Sequence, residues 1–155
     1  MPKRTLESLD ELKQLVGQEV AVTDWFTMTQ DRIQQFADAT LDHQWIHVDV
    51  ERAKRESPFK APIAHGFLTL SLLAHFMQEA VAVKQGVRMG VNYGMNKVRF
   101  VSPVRVGSQM RARFSLQSLK EVDGNGVEAQ YNATIETEGA NKPACVAEWL
   151  VRYYR

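Results

Sequence analysis

The chain has 155 residues, 45% hydrophobic and 24% charged, which suits one globular domain able to bury roughly 70% of its unfolded surface. Its net charge is +1, with acids and bases interspersed; it lacks the basic stripe expected of a nucleic-acid binder and the Lys/Arg block expected of a membrane-surface protein. A single cysteine, Cys145, excludes an intrachain disulfide, and no apolar run approaches the ~18–20 residues of a membrane span.

Met1-Pro2-Lys3-Arg4 leads into alternating charge and leucine rather than an apolar stretch, so no signal peptide is expected and the reading is of a cytoplasmic enzyme or binding protein. Over residues 5–16, Leu6, Leu9, Leu12, Leu15 and Val16 recur at three- and four-residue spacings. That pattern predicts a short amphipathic helix ended by Gly17, an N-terminal extension spanning 1–17. Glu19 to Phe26 is β-branched and aromatic and predicts a first strand. Thr29 is a candidate N-cap, with Asp31 in the first turn. Ile33, Phe36 and Ala37 line one face of the helix that follows, to about Thr40.

Residues 50–64 are polar and charged, with Pro58 and Pro62, and are expected to form a loop with one helical turn near 50–55. From Ile63 to about Lys84 the chain is apolar on nearly every side, which predicts a buried central helix. From about 88 the period changes to two. Met110, Ala112, Phe114 and Leu116 alternate with polar residues, as do Val127, Ala129, Tyr131, Ala133 and Ile135, and again Cys145, Ala147, Trp149, Val151 and Tyr153. Asp123-Gly124-Asn125-Gly126 and Gly139 to Pro143 read as the intervening turns. The order predicts an α+β domain in which a meander of about four antiparallel strands packs on one long helix.

The chemistry concentrates in Ala39 to Asp49, which holds two acids, two histidines and an amide among bulky apolar residues. Asp42 and His47 are five apart, about 140° round a helix, so an acid–base pair made from them requires a loop or irregular turn. Such a pair can orient and move a proton near neutral pH, although a turn-capping Asp and a satisfied polar His would give the same letters. His43, His47 and Asp49 offer metal-ligand types, but two histidines four apart converge only on a helix, and Trp45-Ile46 reads as loop; no metal site is expected. Gly66, at the entry to the central helix, lets a ligand approach free N–H groups at the positive end of the dipole, as a carbonyl-polarising site needs; a plain helix-start glycine is the alternative. His75 reads as a core or interface residue, and Cys145 as a small buried one. No Gly-x-Ser-x-Gly elbow, P-loop or Gly-x-Gly-x-x-Gly occurs, so no nucleotide or other cofactor is expected.

Three separated motifs stand in order: Asp42-x4-His47-x-Asp49, Pro62-Ile63-Ala64-His65-Gly66, and Arg99-Phe100-Val101-Ser102-Pro103-Val104-x-x-Gly107. From about residue 19 onward the chain resembles the MaoC-like, (R)-specific enoyl-CoA hydratases (hydratase 2). The resemblance implies a hot-dog fold, a curved antiparallel sheet around a long helix, across a single domain of residues 1–155. It implies hydration of a trans-2-enoyl thioester of CoA or acyl carrier protein, with Asp42 and His47 as the acid–base pair and Gly66 as backbone donor to the thioester oxygen. It places Gln44, His65 and Phe100 against substrate, Phe100 in the acyl pocket. It further implies a homodimer, with Lys60, Arg88, Lys97 and Arg99 as candidates for the CoA phosphates. The family reads Asp-x-Asn-Pro-Leu-His where this chain has Asp42-His43-Gln44-Trp45-Ile46-His47; Gln44 replaces an asparagine that places the catalytic water. A hot-dog acyl-CoA thioesterase and a non-catalytic acyl-thioester binding protein are the competing readings.

Overall fold

The computed structural model describes residues 2–155. The alternating second half forms a single antiparallel sheet: β5 (Met89–Arg99), β6 (Gln109–Val122), β7 (Gly126–Thr137) and β8 (Cys145–Tyr154), joined at one edge by β2 (Glu19–Val22) and β3 (Phe26–Thr27). The strand order is β2-β6-β7-β8-β5, with β3 also on β6. Period-two patterning sends Met110, Ala112, Phe114 and Leu116 of β6, Ala129, Tyr131, Ala133 and Ile135 of β7, and Cys145, Ala147 and Trp149 of β8 to one buried face. The hairpin between β6 and β7 turns through Gly124 and Asn125, both at positive φ.

The central helix covers that face. It runs as α5 (Gly66–Ser71) and α6 (Leu73–Ala80), with Leu72 between them still in right-handed helical geometry. Leu68, Leu72, Leu73, Phe76 and Met77 join the sheet's inner side chains in one core. Phe67, Ser71, His75, Gln78 and Glu79 are exposed, so the helix is amphipathic rather than buried all round, and His75 packs its ring on Phe26 and Phe76.

Four elements differ from the sequence expectations. The central helix stops at Ala80, because β-branched Val81–Val83 form β4, paired in parallel with β1 (Arg4–Leu6). The N-terminal helix shrinks for the same reason to α1 (Leu9–Lys13), Leu6 belonging to the strand, with Leu9 and Leu12 buried. The expected strand over 19–26 is broken, since the Thr23 hydroxyl accepts from the Ala112 N–H at 2.9 Å in place of a backbone carbonyl. The 50–64 loop contains a full helix, α4 (Val50–Glu56), capped by Asp49 accepting from the Arg52 N–H.

Candidate active site

Three short segments build the site. The first is the end of α2 (Gln30–Thr40), capped by Thr29, whose side chain accepts from the Arg32 N–H. The chain leaves α2 through Leu41, held at φ 66° and 81% exposed. A leucine in left-handed geometry costs of order 1 kcal/mol, a local strain that turns Asp42 out of the helix line. The second segment is α3 (Trp45–Val48), a single helical turn; Trp45-Ile46 is therefore helical, not the loop expected. His47 donates its N–H to the Gln44 carbonyl at 3.0 Å, and Gln30 donates from its side chain to the His47 carbonyl at 2.8 Å. The third is the strip Pro62–Ala64. The Ile63 N–H reaches the Ile46 carbonyl at 3.1 Å, and the Ala64 N–H reaches the Val104 carbonyl at 2.8 Å. That strip carries the chain directly into His65, Gly66 and α5.

The result is a cluster of Asp42, His47 and His65, whose nearest nitrogen and carboxylate atoms all lie within 4.8 Å of one another. His47 is 6% exposed and its Nδ1 lies 2.7 Å from the Ile63 carbonyl. A carbonyl only accepts, so Nδ1 carries the hydrogen and Nε2 keeps its lone pair. Burial holds the His47 imidazole below its ordinary value, reinforced by the neighbouring His65 and opposed by the Ile63 carbonyl and by Asp42. At neutral pH this is an uncharged ring with a free basic nitrogen. The Asp42 side chain is 54% exposed, and its Oδ1 accepts from the Gln44 N–H at 3.3 Å. One exposed carboxylate and one buried neutral imidazole, with opposite solvation, suit the two ends of a proton transfer.

Gly66 is the first residue of α5, so its N–H has no carbonyl one turn back to bind. Phe100 lies over it: a Cβ built on Gly66 would come within 3.0 Å of the phenyl ring. Gly66, Thr69, Phe100, Ile63, Ala64 and Val104 help line a cavity of about 290 Å³. The structure thus brings Asp42, His47, His65, Gly66 and Phe100 into one region. Gln44 is exposed and enters only through its backbone. His43 turns away, paired with Asp38 at 2.9 Å, and Asp49 caps α4, so the metal-like trio weighed in the sequence does not converge. The donor set that does converge has two of its four imidazole nitrogens committed to carbonyls. Of the basic candidates, Lys97 and Arg99 flank inward-facing Val98 on β5 and fall on the sheet face opposite the central helix. Gln30 and the Ile63 carbonyl are participants that sequence reasoning missed; neither a first-turn glutamine nor a backbone carbonyl carries a sequence signal.

Residues 11–138 match the MaoC like domain. A 3-hydroxyacyl-thioester dehydratase Z from Mycobacterium tuberculosis is 51% identical over 150 residues, covering 97% of this chain and 98% of that protein. Nodulation protein N from Rhizobium meliloti is 47% identical over 143 residues, covering 92% and 89%. Among solved structures, the unliganded R-hydratase of Pseudomonas aeruginosa superposes with a TM-score of 0.71 at 21% identity, covering 97% of this chain and 87% of that one. The (R)-hydratase from A. caviae involved in PHA biosynthesis gives 0.67 at 24%, covering 88% and 94%. These structures share the sheet-around-helix architecture described above, the hot-dog fold. With the domain match spanning most of the chain and a relative of half-identical sequence aligned nearly end to end, the chain belongs to the MaoC-like dehydratase family.

Proposed function

We propose that this protein is an (R)-specific hydro-lyase that interconverts trans-2-enoyl thioesters and (R)-3-hydroxyacyl thioesters. The observation that carries the reading is the fixed tautomer of His47 beside Asp42 and the start of α5. In hydration, a water held between Asp42 and His47 gives a proton to His47 Nε2 as its oxygen bonds to C3. The π electrons move through C2 onto the thioester oxygen, where the Gly66 N–H stabilises the negative charge; donors of this type are worth ~3–4 kcal/mol. The proton returns from the pair to C2, leaving the enzyme unchanged. The reverse sequence removes water from the 3-hydroxy compound.

The unit proposed to carry this chemistry is the whole chain, one MaoC-like domain of residues 1–155 with 1–17 as an appendage. The acyl group belongs in the cavity under Phe100, and the carrier is CoA or acyl carrier protein. A homodimer is supported by β5, a free sheet edge of 11 residues with exposed Met89, Val91 and Tyr93; an apolar open edge invites a second strand. Among the described residues no helix is long and apolar enough to cross a membrane; a cytoplasmic location is proposed, with which the single free cysteine, Cys145, agrees.

The test is crotonyl-CoA. Loss of the conjugated enoyl-thioester absorbance without release of free thiol, with an (R)-3-hydroxy product by chiral chromatography and an unchanged rate after chelation, is the expected result. Release of thiol would establish the thioesterase reading instead, and neither signal would leave only binding.

A further inference from the structure

We infer that His65 is a positioning residue, which ties Asp42 to the helix start that carries Gly66 through its Nε2–H bond to the Asp42 backbone carbonyl. The inference rests on the hydro-lyase reading of the same site, and departs from the substrate contact that the sequence resemblance implied for His65.

The ring is 3% exposed and packs against two other rings. His47 stacks on it with ring centroids 3.8 Å apart and 22° between planes. Phe36 lies at 4.9 Å. A substrate cannot reach a ring so enclosed without displacing one of these neighbours. At its edge, Nε2 lies 3.0 Å from the Asp42 carbonyl and 4.0 Å from Asp42 Oδ2. Because the carbonyl accepts, Nε2 carries the hydrogen and Nδ1 is left with a lone pair. That Nδ1 is buried and has no hydrogen-bond partner among the described residues.

A buried acceptor without a partner weakens the folded state. A phenyl ring would fill the same place beside Phe36 and His47 with no polar atom to leave unpaired. What imidazole adds is the single N–H, and that N–H goes to Asp42. Asp42 needs such a tether: it follows the strained Leu41, precedes the one-turn helix α3, and has a half-exposed side chain. His65 is adjacent to Gly66 in the chain, so one hydrogen bond sets the acid–base end of the site against its carbonyl-polarising end. Misplacements of about 1 Å at such distances cost ~10²-fold in rate.

Two variants separate this role from a structural one. His65→Phe keeps a ring against both His47 and Phe36 but loses the donor. His65→Gln keeps an N–H at comparable reach. For crotonyl-CoA hydration, His65→Phe should lower kcat by at least ~10-fold with KM within ~2-fold, while its thermal midpoint stays level or rises because the unpaired nitrogen is gone. His65→Gln should recover most of the lost kcat. A wild-type kcat in His65→Phe, a change confined to KM, or a His65→Gln no faster than His65→Phe would overturn the assignment. Amide exchange at residues 41–44 reads the tether without substrate: it should quicken ~10-fold or more in His65→Phe and not in His65→Gln. Unchanged exchange overturns the inference even if the wild type hydrates nothing, whereas a wild type without hydration activity but with the expected exchange pattern refutes only the hydro-lyase reading.

Discussion

His47→Gln tests the centre of the proposed mechanism. Glutamine can still offer an N–H to the Ile63 carbonyl that His47 now holds at 2.7 Å, so α3 keeps its anchor. It has no basic lone pair, so loss of the proton acceptor should lower kcat by at least ~100-fold, the usual scale of acid–base catalysis. The same ring predicts two pH effects. Burial lowers the His47 value below the ordinary 6.5, so the acid limb of kcat/KM should have its midpoint below pH 6.5. For stability the sign follows from proton counting. Below 6.5 the unfolded chain takes up a proton on His47 that the folded protein does not, so acid favours unfolding until the folded-state value is passed. Within that window the loss is at most about 1.4 kcal/mol per pH unit. Urea unfolding at a series of pH values, wild type against His47→Gln, isolates this contribution, because carboxylate effects common to both cancel. The variant should lose less stability than wild type between pH 6.5 and the folded-state value, and above 6.5 the two should run parallel. A rate in His47→Gln near that of wild type, or an acid limb centred above 6.5, would refute the neutral-base assignment.

Asp42→Asn preserves an oxygen for the Gln44 N–H and removes only the charge. Its kcat should fall at least ~100-fold while stability, measured by urea midpoint, changes by no more than ~0.5 kcal/mol, as expected at a half-exposed position. Gly66→Ala would place a methyl group 3.0 Å from the Phe100 ring, against an ordinary carbon contact of ~3.5–4.0 Å. Phe100 is 46% exposed and can retreat by the missing ~0.5 Å, so the fold should persist on thermal melting. In the proposed mechanism the added methyl group nonetheless stands where the thioester approaches the N–H. A fall of at least ~10-fold in kcat/KM is expected, short of the ~10²–10³ of outright donor loss.

The sheet was legible because burial on one face imposes a period of two that no helix can imitate; the first half of β6, the middle of β7 and most of β8 carry it. The N-terminal helix was over-read for a related reason. Leu6 stands three residues before Leu9, a helical spacing, but its burial comes from pairing with Val83, 77 positions away, and local periodicity cannot see a long-range parallel pair. Trp45–Val48 hid as a helix because Ile and Val are β-branched and a single turn is too short to show periodicity; its hydrogen bonds to Gln30 and within the turn hold it in place. In the candidate site, Asp42, His47 and Gly66 could be singled out because an acid, an imidazole and a missing side chain each stand out by residue type, and the structure brings Asp42 and His47 together beside the start of α5. The tautomer of His47 was not, because it is set by a backbone carbonyl 16 residues away, and every residue has one.

The same distinction decides the role of Gln44. The family asparagine implies a side-chain amide that holds water, and glutamine in its place suggested a displaced water. In the structure Gln44 is exposed, and its recorded hydrogen bonds are made by its main chain: its N–H to Asp42 Oδ1 at 3.3 Å and its carbonyl from the His47 N–H at 3.0 Å. It therefore links the two residues proposed to react by groups that any amino acid except proline would supply. Gln44→Ala keeps both bonds and removes the amide side chain. On this reasoning crotonyl-CoA hydration should stay within ~3-fold of wild type, since both groups proposed to hold the water are retained. A loss of ~10-fold or more with KM unchanged would mean that the amide reaches the water after all, as in the family pattern. Substitution by proline is the complementary case. Gln44 already has φ −56°, so the ring fits the backbone, and what disappears is the N–H to Asp42. A proline variant slower than the alanine variant would place the function of residue 44 in its main chain, which explains how the chain departs from the family letter without losing the geometry.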